Sequence, residues 1–217
     1  MATTETDICN LALAALGDEA TVVSIDPPEG SAQADHCAQW YPIARSVLLE
    51  AHDWKFARRR VQGAPLTTTV GPWAYAYAMP AGAVRVRAVL PPGAAADYNQ
   101  GLTEIERPFD IETLGDGTEV IVTDQPEAVI RFTSAAVDVG KFPPLAVQAL
   151  VHLLASYLAG PVLKNEAGRA EARAQLQLHT AWLGKAQASD MNQQRRTEQH
   201  TPQQIAARGG IPWRFNQ

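Results

Sequence analysis

The sequence predicts an α+β fold in which a helical bundle is interrupted by an antiparallel β module. Apolar residues recur at helical spacing before Asp53 and again after Pro143, whereas between Lys55 and Ala136 the pattern alternates with a period of two. Neither helical region has enough apolar surface to form a core alone, so we expect the four helices to pack together as a four-helix bundle. The predicted domains are a helical bundle of residues 1–54 and 141–196, an inserted β domain of residues 55–140 and an extended C-terminal docking arm of residues 197–217.

Two helices precede the β module, and both have recognisable starts. Thr4 and Asp7 have the spacing of a capping box, and Gly17 can close the helix that they begin. Ser31 can cap the second helix. Pro42 lies inside that second helix and lacks an N–H group, and an interior proline costs roughly 3 kcal/mol. We therefore expect a kink or a break at this point.

The β module shows alternation in several short runs. The predicted strands are residues 73–79, 84–90, 109–114, 119–123 and 128–133. Gly115-Asp116-Gly117 separates two of them and has the composition of a hairpin turn. Between residues 91 and 101 the small residues predict a loop.

Two further helices are predicted after the β module. Pro144 can stand in the first turn of the third helix, and Gly160-Pro161 is expected to end it. The third helix is apolar, but polar residues interrupt it, so we interpret it as a buried core helix and not as a membrane span. The fourth helix begins at Asn165. Its predicted core stripe consists of Ala172, Leu176, His179, Leu183 and Ala186.

The charge is unevenly distributed along the chain. The net charge of −5 divides into −8 for residues 1–53, +6 for 54–90, −8 for 91–140 and +5 for 141–217. This pattern is compatible with an ordinary solvated surface. It is also compatible with a surface that meets copies of itself or an oppositely charged partner.

No set of residues predicts catalysis or a cofactor. The sequence lacks a nucleophile elbow, a phosphate-binding glycine loop and a paired metal-ligand spacing. Cys37 follows His36, but adjacent residues on a helix point about 100° apart and do not readily form a catalytic pair. Cys9 and Cys37 lie on apolar stripes, so we interpret both as reduced core residues. We expect a protein that is not an enzyme, and no cofactor or metal.

Arginines of the β module are the candidate contact residues. Arg58-Arg59-Arg60 lies next to aromatic residues, as in nucleic-acid surfaces, but a pI near 5.5 opposes free-standing DNA binding. A salt-bridged edge strand or a subunit contact is the favoured interpretation. The predicted subunit-contact residues are Arg58, Arg59, Arg60, Arg85 and Arg87.

The C-terminal tail contains large side chains that are unusual in a frayed terminus. Tryptophan, phenylalanine and arginine are enriched at the centres of protein interfaces. We therefore expect an arm that docks on another chain. The predicted docking residues are Arg195, Arg196, Arg208, Ile211, Trp213, Arg214 and Phe215.

Several of these motifs together resemble a known family. The matching segments are Ile8-Cys9-Asn10-Leu11-Ala12-Leu13-Ala14-Ala15-Leu16-Gly17, then Ser31-Ala32, Cys37, Tyr41, Arg45, Leu48-Leu49, His52-Asp53-Trp54-Lys55-Phe56-Ala57, and finally Trp73-Ala74-Tyr75-Ala76-Tyr77-Ala78-Met79-Pro80. They look like the opening of the phage tail tubular protein A family. The resemblance is carried by motifs over residues 5–80 and by the order of elements beyond.

The resemblance implies a non-enzymatic virion protein, a head-to-tail adaptor assembled in the bacterial host cytoplasm. Such a protein forms a ring, implied to be a dodecamer, between the portal protein and a tail nozzle or tail tube protein. DNA passes through its channel without specific binding, and no membrane is involved. The alternative function is a nucleic-acid-binding accessory protein of a phage or prophage.

Overall fold

The computed structural model describes residues 4–19, 21–68, 70–92 and 106–193. These residues form four α-helices and two antiparallel β-sheets with the loops that connect them. The helices are α1 (Glu5–Ala15), α2 (Ala32–Ala51), α3 (Pro144–Leu163) and α4 (Asn165–Asn192). The strands are β1 (Arg58–Gln62), β2 (Pro65–Leu66), β3 (Tyr75–Ala78), β4 (Ala83–Leu90), β5 (Phe109–Thr113), β6 (Glu119–Thr123) and β7 (Val129–Ser134).

The predicted helix starts are confirmed. The Thr4 side chain accepts a hydrogen bond from the Asp7 amide at 3.1 Å, and the Asp7 carboxylate accepts one from the Thr4 amide at 3.0 Å. Gly17 follows the helix with φ of +77°, a conformation that suits glycine. The Ser31 hydroxyl caps α2 by accepting from the Ala34 amide, and Pro144 is the first residue of α3.

Two predictions about prolines need correction. The helix α2 continues through Pro42 as one element, so the expected break does not occur there, while the alternative of a kink stays a prediction. Pro42 is exposed while its neighbours Tyr41 and Ala44 are buried, so packing of the inner face holds the helix together across the missing hydrogen bond. Similarly, α3 runs three residues past Gly160 with Pro161 inside it.

The four helices do not form the predicted four-helix bundle. Helices α1 and α2 both pack on α3 and barely contact each other, while α4 lies along α3. The reason is the unequal apolar surface of the helices. Ten residues of α3 are buried, but α4 buries only five, and these are small or polar. The helix α3 is therefore a central helix that the others surround, and the overall class is α+β.

The predicted stripe of α4 is also shifted. Leu176, expected in the core, is 49% exposed, whereas Gln175 next to it is buried. His179 is buried as expected and donates from Nδ1 to the Ala149 carbonyl at 2.8 Å. The buried residues of this helix are Gly168, Gln175, His179, Ala186 and Asp190. By length and composition α3 could cross a membrane, and more than half of that stretch is buried inside the protein.

The β segment divides into two antiparallel sheets. Sheet I has the strand order β1-β7-β4, and sheet II has the order β2-β3-β6-β5. The predicted hairpin at Gly117 is confirmed, because the Gly117 amide donates to the Leu114 carbonyl at 2.9 Å between β5 and β6. The consecutive strands β6 and β7 lie in different sheets.

The two sheets enclose their own small core. Val86, Ile130 and Phe132 of sheet I share one buried cluster with Tyr77 and Ile121 of sheet II. The opposite face of sheet I meets the end of α2, where the larger helical core continues through Trp54 and Ala57. Sheet I therefore stands between sheet II and the helices, and its arginines are placed at that junction.

Candidate interaction surfaces

Five arginines lie on one face of sheet I, which we call the basic face. Arg58 and Arg85 are both cross-strand partners of Thr133, and Arg60 is the partner of Arg131. Directly opposed residues of a sheet point to the same side. The members of the basic face are Arg58, Arg60, Arg85, Arg87 and Arg131.

Much of the basic face is engaged within the chain. Arg58 forms a two-pronged ion pair with Asp53, with Nη2 to Oδ2 at 2.9 Å and Nε to Oδ1 at 3.2 Å. Arg131 contacts Glu106 at 2.9 Å, and its Nε lies 3.8 Å from the Asp53 carboxylate. The carboxylate of Asp53 therefore neutralises part of the face where α2 leads into β1.

Arg87 performs a different task, because it closes the carboxyl end of α2. Its Nη2 donates to the carbonyl oxygens of Glu50 at 2.9 Å and His52 at 2.7 Å, and more weakly to that of Leu49 at 3.2 Å. The last carbonyls of a helix have no partner within the helix and attract cations. Burial lowers the pKa of the Arg87 guanidinium, while the Asp53 charge acts in the opposite direction. Arg87 holds sheet I against the helices.

The five predicted contact arginines thus divide into two groups. Arg58 and Arg87 are committed to partners inside the chain. Arg59 and Arg85 are exposed, and Arg60 is half-buried. Arg59 points away from the basic face, since its cross-strand partner is Phe132. It donates from Nη1 to the Arg58 carbonyl at 3.1 Å. The exposed pair is the part of the prediction that remains accessible to another chain.

A corner joins the end of α4 to the connection between α2 and β1. Asp190, only 3% exposed, accepts from the Lys55 amide at 3.2 Å and lies 3.3 Å from the His52 Nε2. The Lys55 ammonium donates in turn to the carbonyls of Asp190 and Met191. A pocket of about 400 Å³ opens here, lined also by Asp53 and Arg58. No sequence motif predicts this corner, because its two sides are about 135 positions apart.

The outer surface of α2 carries apolar side chains that the sequence analysis did not single out. Ile43 is 46% exposed and Val47 is 41% exposed, one helical turn apart. Trp40 extends this line and packs against Tyr157 of α3, with ring centroids 5.2 Å apart. A spacing of i, i+3 and i+7 from Trp40 could have identified this line.

The two cysteines face each other inside the helical core. Both are fully buried and form no disulfide, with Cys9 on α1 and Cys37 on α2. Contact with Cys37 and burial raise the pKa of the Cys9 thiol. Among residues 4–19, 21–68, 70–92 and 106–193, no group of three or more His, Cys, Asp or Glu side chains could hold a metal ion. The interpretation of Cys37 as a core residue fits this position.

The predicted docking arm lies outside the described residues, which end at Gln193. Its members are Arg195, Arg196, Arg208, Ile211, Trp213, Arg214 and Phe215. The structure therefore gives the point from which the arm departs, next to the corner at Asp190.

Comparison with known proteins adds no assignment. A scan against models of protein families finds no match, and a search of curated proteins finds none either.

Proposed function

We propose that the protein is a structural virion protein, a head-to-tail adaptor of a tailed bacteriophage. Copies of the chain form a ring, of twelve subunits by resemblance to tail tubular protein A, which joins the portal to the tail and surrounds the passage for DNA. The ring binds the portal protein on one side and a tail nozzle or tail tube protein on the other. It assembles in the host cytoplasm and catalyses no reaction.

The residues that carry the resemblance support the proposal because they hold this fold together. Asn10 donates to the Val22 carbonyl at 2.9 Å and accepts from the Val22 amide at 2.8 Å. The buried Trp54 donates from Nε1 to the Leu48 carbonyl at 2.7 Å. Arg45 joins Glu5 of α1 at 2.8 Å. Because these side chains stabilise the fold, motifs shared with the tail tubular protein A family are a reason to expect that the fold is shared too.

The observation that carries the proposal is the separation of exposed charge. Arg59 and Arg85 are exposed on sheet I, whereas Asp110 and Glu119 are exposed on sheet II. A ring is built from heterologous contacts, in which one surface of a subunit meets a different surface of the next. A chain that carries opposite charges on two separate sheets suits such contacts better than two-fold contacts, which bring like surfaces together.

Electron microscopy of the full-length protein mixed with the portal protein of the same virus tests the proposal. We expect rings of the protein seated on one face of the portal, with one copy for each portal subunit. The control is the same protein without portal, which reports its oligomeric state in isolation. Absence of any complex at micromolar concentrations and low salt would overturn the proposal.

The alternative of a nucleic-acid-binding accessory protein receives less support from the structure. Two of the arginines that would contact phosphates, Arg58 and Arg87, are held by Asp53 and by helix carbonyls. Backbone binding to duplex DNA depends strongly on salt. Tight binding of the isolated protein to duplex DNA that weakens steeply with salt would favour the alternative, and no binding in low salt would eliminate it.

A further inference from the structure

Among the residues that the structure describes, two of the four outer strands of the sheets are five residues long and have no further strand beside them. In sheet I, β4 is covered at one point, because the Arg107 amide donates to the Val89 carbonyl at 2.8 Å. In sheet II, β2 has only two residues and begins with Pro65, which has no N–H group. The strands β1 and β5 each have five residues and no strand partner on their outer side within the part of the chain that the structure describes.

The outer side of β1 presents the backbone groups of alternate residues. The Ala57 carbonyl and the Gly63 amide both bond toward β7, at 2.9 and 2.8 Å. In an antiparallel ladder, the N–H and C=O of one residue point to the same side, and successive residues alternate. The backbone groups of Arg58, Arg60 and Gln62 therefore point outward. The Arg59 guanidinium covers the outward Arg58 carbonyl at 3.1 Å.

The outer side of β5 has the same construction with the opposite charge. The Leu114 amide bonds toward β6 at 2.8 Å, so the backbone groups of Phe109, Ile111 and Thr113 point outward. The Asp110 carboxylate covers the outward Ile111 amide at 2.8 Å. A cation thus covers a carbonyl on β1, and an anion covers an amide on β5.

We propose that β1 of one copy pairs with β5 of the next copy, so that the sheets of neighbouring subunits become continuous. This inference rests on the proposed ring and specifies its subunit contact. On pairing, Arg59 leaves its own strand and meets Asp110 or Glu112 of the neighbour, and the outward backbone groups of the two strands bond to each other. Displacing an exposed charged side chain from its partner costs little free energy. Backbone pairing at a sheet edge is a common mode of recognition between proteins.

The charges also determine which edges meet. Pairing of two β1 strands would oppose the arginines at positions 58–60, and pairing of two β5 strands would oppose Asp110 and Glu112. Like charges opposite each other destabilise a sheet. The contact between β1 and β5 is therefore favoured, and because its two sides differ it generates a ring or a filament and not a closed dimer. In the free protein, the same covering side chains oppose uncontrolled edge-to-edge association.

Charge reversal on the two strands tests this inference. We expect Arg59→Glu alone, and Asp110→Lys with Glu112→Lys alone, each to reduce ring formation on the portal by at least about tenfold, since each sets like charges against each other. A mixture of the two variants should restore rings in which they alternate, because every contact is again between opposite charges. Electron microscopy and mass photometry report the rings.

Two controls make the result specific. Arg173→Glu and Glu166→Lys reverse exposed charges of opposite sign on α4, which lies outside both sheets. Both should assemble as the unmodified protein does, and all variants should keep its circular dichroism spectrum and melting temperature. Normal rings from Arg59→Glu, or no rescue in the mixture, would overturn the edge pairing while leaving the adaptor proposal intact. Failure of the unmodified protein to bind the portal would instead overturn the adaptor proposal.

Discussion

Asp190 shows how one buried charge can fix a junction between distant parts of the chain. A carboxylate that leaves water is tolerated only when hydrogen-bond donors surround it. Asp190 meets this condition with the Lys55 amide and the His52 ring, at 3.2 and 3.3 Å. It lies in the last turn of α4, where residues of that helix otherwise bury little apolar surface. The attachment of the end of α4 therefore depends on polar contacts.

Replacement of Asp190 measures this dependence. We expect Asp190→Ala to lower the free energy of unfolding by about 2–4 kcal/mol, because it leaves the half-buried Lys55 amide and His52 ring without their acceptor. Glu166→Ala, at an exposed position in the first turn of the same helix, should change it by less than about 0.5 kcal/mol. Urea unfolding gives both values. Equal midpoints for the two variants would contradict the role of Asp190.

At the scale of the elements, the contact between α3 and α4 depends on the absence of a side chain. Gly168 is buried, and a Cβ atom at this position would lie 2.7 Å from the Ala159 carbonyl oxygen. The three atoms nearest to that Cβ all belong to the backbone of α3, which cannot swing aside as a flexible side chain can. The close approach therefore requires glycine, although glycine weakens an isolated helix.

Alanine substitution should change the free energy of unfolding in opposite directions at two glycines of α4. Gly168→Ala should lower the free energy of unfolding by about 1–3 kcal/mol, because the new methyl group forces the helices apart. Gly184→Ala, where nothing lies within 4 Å of the new atom, should raise it by about 0.5–1 kcal/mol through higher helix propensity. Thermal and urea unfolding measure both. A stabilising Gly168→Ala would show that the helices do not meet as described.

The features that sequence predicted well are those with local causes. The capping box at Thr4 and Asp7, the cap at Ser31 and the turn at Gly117 each involve residues a few positions apart. Their geometry follows from the short stretch of chain that forms them. The starts of α1 and α2 and the β5–β6 hairpin could therefore be predicted.

The features that sequence missed depend on partners far along the chain. Gln175 is buried because Ala15 and His152 supply hydrogen-bond partners 160 and 23 positions away, whereas the apolar Leu176 faces outward. The apolar stripe alone predicts that Leu176 is buried and Gln175 exposed, which is the reverse of what the structure shows. The division into two sheets likewise depends on β7 pairing with β1 and β4, which no local pattern states.

For the whole molecule, block charges overstate what is available to a partner. Arg58 pairs with Asp53, Arg45 pairs with Glu5, and Arg131 contacts Glu106. Arg58 and Asp53 belong to adjacent sequence blocks of opposite sign, as if each faced another molecule, whereas the members of the other two pairs lie within one block. Folding brings them together inside one chain. Among the charges that stay exposed, Arg59 lies on β1 and Asp110 lies on β5. The proposed subunit contact therefore joins these two strands.

In the proposed assembly, β1 and β5 form the ring and the docking arm binds the portal. Removal of the docking arm tests this assignment. The arm follows α4, whose end is fixed at Asp190, so its residues start from a defined place on each subunit. Several weak contacts that form at the same time give high avidity. Loss of an aromatic anchor weakens each of these contacts, so its effect on the affinity of the whole ring for the portal is larger than its effect on one subunit.

Deletion of residues 209–217 should therefore weaken portal binding by at least about tenfold while the melting temperature stays unchanged. Trp213→Ala with Phe215→Ala should reproduce most of the loss, whereas Asn216→Ala, a neighbouring polar position, should bind normally. Surface-immobilised portal protein and biolayer interferometry give the affinities. Undiminished binding by the deletion variant would assign the portal contact to the rest of the chain, where the exposed Ile43 and Val47 of α2 offer the next surface to mutate.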